Sequence, residues 1–274
     1  MSQGTKWLPR GLIGVVHLPA LPGDPGYDGR CFDDLLAFAL SDAQSLVEGG
    51  IRAIIVENFG SAPFPKGTAS QPMPPHHTAY MSIVAHEIRR AHPEIVLGIN
   101  CLRNDAQAAI GIAVATRADF IRVNVLTGAY VTDQGVIEGD AYGLLRYRQL
   151  LHAEHIAILA DVLVKHATPL APISATDATR DTLLRGHADA VIVTGSGTGE
   201  PVDRRTLEEV FRASDGRPVL LGSGTRAETL ANYASFIKGA IVGTALKVDG
   251  VVSKPVDVER VRKMVKSFDS ICKG

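Results

Sequence analysis

Several features that would announce a function are missing from this chain of 274 residues. There is no cationic excess: 28 Lys and Arg stand against 29 Asp and Glu, a formal net charge of -1. That balance argues against a nucleic-acid partner, although a local basic patch stays open. No apolar run approaches the ~18 residues of a membrane span. Residues 1–10 hold no apolar signal segment, so no integral membrane contact is expected and the location read from sequence is the cytoplasm. The three cysteines, Cys31, Cys101 and Cys272, are far apart and odd in number. Without a CxxC pair they read as reduced packing thiols. A dinucleotide fingerprint is also absent after the first apolar run, where residues 18–23 read LPALPG.

What is present is a rhythm. Hydrophobic residues make up 46% and charged residues 21%, which excludes disorder over most of the length and fits a soluble globular chain. Short apolar runs alternate with longer amphipathic stretches. The runs fall at 11–18, 53–57, 95–101, 120–125, 156–164, 190–194, 218–221 and 236–242. The matching helical stretches fall at 32–48, 78–91, 105–116, 142–153, 175–185, 204–213, 227–233 and 256–268. Eight units of roughly 34 residues suit one strand and one helix each. The Val- and Ile-rich runs suit buried parallel strands. The expected fold is α/β, a single (β/α)8 TIM-barrel domain, with 1–10 a short N-terminal extension. An open doubly wound sheet is the competitor.

The helix-to-strand links are short, while the strand-to-helix links at 18–31, 58–77 and 126–139 are long. Barrels place their chemistry on the strand-to-helix face, so the excess length marks an elaborated mouth. The 58–77 segment carries Pro63, Pro65, Pro72, Pro74 and Pro75 and reads as a stiffened flap or as a contact in a homo-oligomer.

Alternation along a strand sends one parity into the barrel. His17, Glu57 with Asn58, Asn100, Arg122 with Asn124, Asp161 and Thr194 stand near the ends of six consecutive strands. Buried polar groups destabilise unless paired, so this recurrence points to a ligand site or to a hydrogen-bonded network closing the barrel. Singly, His17 is equally a satisfied core histidine, and Arg122 an ion-pair partner of Glu57 or Asp161. Four extended residues would separate Asp161 from Lys165 by ~13 Å, which sets Lys165 and His166 at the lip. A lysine there serves phosphate binding, proton transfer or imine formation, or is a solvated cation.

After the seventh run come Gly222, Ser223, Gly224 and Thr225, leading toward a helical stretch. Gly243 and Thr244 follow the eighth. Glycine backbone approaches anions closely, a helix N-terminus adds a favourable dipole, and barrels often bind phosphate at these two loops. Tight turns alone are the alternative. The segment 194–201 resembles a dinucleotide loop only superficially, and reads as a lid or a third part of the anion grip. No metal is expected: His17, Glu57, Asp161 and His166 could be assembled on paper, but nothing in their spacing demands an ion.

The motifs GVVHLPALPG (14–23), ENFG (57–60), GIN (98–100), RVN (122–124), DVLVKH (161–166), VTG (193–195), GSG (222–224) and VGT (242–244) together resemble the BtpA/SgcQ family over nearly the whole chain. The resemblance implies a barrel. It also implies one branch tied to photosystem I biogenesis at thylakoid membranes and another found with sugar-uptake and sugar-phosphate genes.

The leading expectation is a cytoplasmic enzyme acting on a phosphorylated sugar or nucleotide-like small molecule. Asp161 and Glu57 are the acid/base candidates, with Lys165 and His17 beside them. Asn58, Asn100, Arg122, Asn124, His166 and Thr194 are the substrate-binding candidates. Gly222 to Thr225, Gly243 and Thr244 would hold phosphate. Isomerisation, carbon–carbon cleavage and glycosidic cleavage stay open. The alternatives are a non-enzymatic assembly factor and an FMN-binding barrel enzyme; the sequence names no cofactor.

Overall fold

A computed structural model describes residues 10–195 and 201–272. The chain begins with β1 (Gly11–His17), α1 (Phe32–Glu48), β2 (Ala53–Glu57), α2 (Pro75–Ala91), β3 (Val96–Asn100), α3 (Ala106–Thr116) and β4 (Phe120–Val123). Next come β5 (Ala129–Thr132), β6 (Gly135–Glu138), α4 (Ala141–Leu150), β7 (Ala157–Val162), β8 (Ala167–Pro169) and α5 (Ala175–Arg180). The last third holds β9 (Ala190–Val193), α6 (Arg204–Ala213), β10 (Val219–Leu221), β11 (Gly239–Val242) and α7 (Val258–Cys272). Eight strands close a parallel barrel in the order β1-β11-β10-β9-β7-β4-β3-β2.

Helix starts follow from local chemistry. Asp105, Asp140, Ser174 and Asp203 each accept a bond from the backbone amide three residues on, capping α3, α4, α5 and α6. Asp33 and Asp34 sit in the first turn of α1, where carboxylates complement the helix dipole. Aspartates also pin the strand starts: Asp119 Oδ2 accepts the Leu97 amide and Asp189 Oδ2 the Ile158 amide, both at 2.8 Å.

The core has two shells. One parity of each barrel strand packs against the helices, including Ile54, Leu97, Ile121 and Val191. The other fills the barrel with Ile13, Val15, Ile55, Phe120, Leu159 and Ile192. Phe120 is fully buried there. It fits because β3 carries Gly98, whose hypothetical Cβ would lie 2.1 Å from Phe120 Cζ. Burying such a ring contributes roughly 1.5–3 kcal/mol.

Two expectations change, and a third segment gains detail. The 126–139 link is not a plain loop: β5 and β6 form an antiparallel hairpin, and β8 joins the other edge of β5. Tyr130 and Ile137 anchor this small sheet on Val125 and Val164. The 227–233 stretch is not α-helical; a 3-10 helix at Leu230–Phe236 stands there instead. The proline-rich segment is tied to the loops after β1 and β3 by three backbone amides. The Gly60 amide binds the Leu18 carbonyl (2.9 Å), the Arg103 amide binds Pro65 (3.1 Å), and the Met73 amide binds Asp105 Oδ2 (2.8 Å). The thiols divide as well, with Cys101 buried and Cys31 exposed. Among the described residues no helix is long and apolar enough to cross a membrane. Residues 1–9 and the centre of the 194–201 segment, both named in the sequence reading, lie outside the described residues.

Candidate active site at the barrel mouth

Register assembles the site. His17, Glu57, Asn100 and Arg122 are successive partners across β1, β2, β3 and β4. Each shares the parity of the interior residues below it, so the four form one polar layer on top of an apolar plug. A cavity of about 640 Å³ opens from this layer. Its inner end is lined by Val15, His17, Glu57, Phe59, Arg122 and Lys165. It passes Ser223, Gly224, Thr225, Gly243 and Thr244, and its rim carries Arg226, Glu228, Asp249, Arg260 and Lys263.

Arg122 is the hub. Its Nε and Nη2 donate to the two oxygens of Asp161 at 3.0 and 2.9 Å, and its Nη1 stands 3.8 Å from Glu57 Oε2. Burial works against the guanidinium charge, but Asp161 and Glu57 more than offset it, and the Arg122 pKa lies above its ordinary value. Asn124 Nδ2 also donates to Asp161 (3.1 Å), and Asn100 Nδ2 donates to Asn124 Oδ1 (3.1 Å). Asp161, Asn100 and Asn124 are therefore the underlay that aims Arg122, and none of them lines the cavity. Asp161, an acid/base candidate from sequence, has both oxygens engaged and a side chain that is 0% exposed.

Glu57 is differently placed. Burial raises its pKa against the opposing pull of Arg122 and Lys165. His17 Nε2 lies 3.9 Å from Glu57 Oε1. Burial, with Lys247, Lys165 and Arg122 nearby, lowers the His17 pKa to about 3, so its imidazole is neutral at physiological pH. The ring packs edge-on to Phe59 at 5.0 Å. It also lies so close to Gly243 that a Cβ there would fall 2.4 Å from His17 Cε1.

Lys165 reaches the cavity because the chain does not stay extended after β7. Leu163 and His166 take positive φ angles of 51° and 55°. The resulting turn brings the Lys165 amide to Thr194 Oγ1 (3.2 Å) and its Nζ to Ser223 Oγ (3.0 Å). Burial and Arg122 lower the Lys165 pKa. The expectation of two lip residues thus splits: Lys165 lines the cavity, while His166 is exposed and does not.

Other candidates have structural tasks. Asn58 is fully buried, accepting the Leu102 amide at 2.7 Å and donating to the Leu102 carbonyl at 3.2 Å, which staples the end of β2 to the loop after β3. Thr194 supports the Lys165 turn from outside the cavity lining. The Gly222 amide is engaged by the Val193 carbonyl (2.8 Å), and a Cβ there would meet Thr194 Cγ2 at 2.7 Å. Ser223, Gly224 (φ +92°) and Thr225 turn beyond it along the cavity. No α-helix starts at either glycine loop, so any anion grip there is backbone and lysine, without the helix dipole expected from sequence. His17, Glu57, Asp161 and His166 do not converge as a ligand set. Among the described residues no group of three or more His, Cys, Asp or Glu could hold a metal ion.

Sequence reasoning missed Phe59, Arg103 and the rim cations. Arg103 is buried, and its Nη2 holds the Lys165 carbonyl at 2.8 Å. Arg226 had a legible signal, since it directly follows the glycine loop.

A closed, eight-stranded parallel barrel with alternating helices is a TIM barrel. The BtpA family model matches residues 9–270, and the chain belongs to the BtpA family. An uncharacterized protein of Pyrococcus horikoshii is 45% identical over 263 residues, 96% of this chain and 97% of that one. The photosystem I biogenesis protein BtpA of Synechocystis is 42% identical over 257 residues, 94% of this chain and 87% of the relative. Among solved structures, the tryptophan synthase alpha chain of Legionella pneumophila superposes with TM-score 0.59 at 14% identity, covering 96% and 92% of the two chains. Phosphoribosyl anthranilate isomerase of Thermus thermophilus gives 0.54 at 14% identity, covering 95% and 99%. These two likenesses establish the fold.

Proposed function

We propose that this chain is a cytoplasmic, single-barrel enzyme that transforms a phosphorylated sugar-like or nucleotide-like metabolite at the barrel mouth. The observation that carries this reading is one continuous cavity joining the glycine loops after β10 and β11 to the buried carboxyl of Glu57. Ser223, Gly224, Thr225, Gly243 and Thr244 hold the phosphoryl group, and Lys165 supplies its cation. Glu57 transfers the proton, because burial moves its pKa up toward the working pH. Neutral His17 is its polar neighbour. Arg122, pre-aimed by Asp161 and Asn124, stabilises negative charge that develops on a substrate oxygen. Isomerisation and bond cleavage beside a carbonyl or glycosidic centre both use such a set.

Turnover of a panel of phosphosugars and nucleotides tests this, with wild type compared against Glu57→Gln. General acid–base catalysis contributes about 10²–10⁴-fold, so a loss of at least about 10²-fold is expected. Undiminished turnover in Glu57→Gln removes Glu57 from the mechanism.

The name of the Synechocystis relative, a photosystem I biogenesis protein, favours a second reading, an assembly factor that uses the barrel as a scaffold. Partner capture that survives replacement of Glu57 and Lys165, with no turnover across the panel, would select it. A flavin fits the inner end less well, because His17, Glu57, Arg122 and Lys165 stand there rather than a broad apolar wall.

A further inference from the structure

The cavity continues past the two glycine loops to a rim that a single phosphoryl group does not reach. We infer that this outer end is a second anion subsite, built by Arg226 and Arg260, and that the ligand is a diphosphate ester. The inference rests on the phosphate reading of the inner loops and extends it.

Placement is the first support. Arg226 directly follows Thr225, and Arg260 Nη1 donates to the Ala245 carbonyl (3.3 Å), one residue beyond Thr244. Both arginines line the cavity, each beside one glycine loop in the chain or by hydrogen bond. Spacing is the second support. Arg226 is one residue, about 3.8 Å of backbone, from the inner grip. A second phosphoryl group held there would be the neighbour of the first, as in a diphosphate ester.

Charge is the third support. The cations on the cavity wall are Arg122, Lys165, Arg226, Arg260 and Lys263, against the carboxyls of Glu57, Glu228 and Asp249. Arg122 is balanced from below by Asp161. Lys165 lies beside Ser223 at the inner loop. On the rim, Glu228 pairs with Lys263 at 2.5 Å, and Asp249 pairs with Lys254 at 2.6 Å. The nearest ion-pair partner of Arg260 is Asp257 at 3.9 Å, a loose contact. The two guanidiniums are thus the rim groups suited to a planar, bidentate grip on a phosphoryl group.

Titration calorimetry of the full chain with inorganic orthophosphate and inorganic pyrophosphate tests this. Pyrophosphate is expected to bind about tenfold or more tighter, the effect of one charge-assisted hydrogen bond. Arg226→Ala/Arg260→Ala should abolish that advantage and leave orthophosphate binding unchanged. Arg205→Ala, an exposed cation on α6 remote from the cavity lining, should leave the advantage intact. Equal affinity for the two anions overturns the second subsite, as does an advantage that survives the double variant or falls equally in Arg205→Ala. In each of those cases, orthophosphate binding that is lost in Lys165→Met keeps the inner grip standing. Binding of neither anion overturns the phosphate reading and this inference with it.

Discussion

Asp161 offers the most decisive test of how the site is built. Its carboxylate receives two charge-assisted bonds from Arg122, at 3.0 and 2.9 Å, and a third from Asn124 at 3.1 Å. The two charged side chains are 8% and 0% exposed, so water does not replace a lost partner. Asp161→Asn keeps the shape and removes the charge, leaving Arg122 with Glu57 at 3.8 Å. Breaking a buried pair from one side typically destabilises by about 3–5 kcal/mol. Urea denaturation should therefore show a lower midpoint with an unchanged m-value. Replacing both partners, as Asp161→Leu/Arg122→Met, should destabilise far less than the sum of the single changes, because neither member of the pair is left facing an empty place. The coupling expected from the cycle is about 2 kcal/mol or more. The Asp161 charge also helps hold the Glu57 pKa up, so its removal should move the acid limb of any Glu57-dependent rate to lower pH. Single changes that add within about 0.5 kcal/mol would refute the idea that Asp161 works through Arg122.

His17 predicts an acid-linked loss of stability. Its pKa is about 3 in the fold against 6.5 unfolded, so below pH 6.5 the unfolded chain takes a proton that the folded chain refuses. The stabilisation is complete above pH 6.5 and fades as pH falls toward 3, amounting to roughly 2 kcal/mol lost by pH 5. His17→Gln should remove that difference between pH 7 and pH 5 in urea denaturation; an unaltered difference places its origin elsewhere. Gly98→Ala should destabilise by about 1–3 kcal/mol through overpacking against Phe120, with recovery in Gly98→Ala/Phe120→Leu. A thermal midpoint unmoved by Gly98→Ala would show that the barrel interior is looser than the geometry implies.

Much of the fold was legible because hydrophobic period is a local property. The run at 53–57 and the helical stretches at 32–48 and 204–213 agree with β2, α1 and α6 residue for residue. The β5–β6 hairpin escaped because its strands are four residues each and half exposed, and they interrupt the expected alternation of strand and helix. Its signal was present in the alternating Tyr130, Val131 and Thr132 before the Gly135 turn (φ +87°).

The barrel and the polar strand ends follow from local sequence, since strand parity is settled within a few neighbouring residues. Which of those polar groups face the cavity and which hold another group in place depends on contacts between distant segments. Arg122 meets Asp161 across 39 positions, and Asn58 meets Leu102 across 44. The turn that carries Lys165 inward depends on Thr194 and Arg103, from the loops after β9 and β3. Burial and pairing set the charge state of a side chain, and both come from partners that local periodicity cannot register.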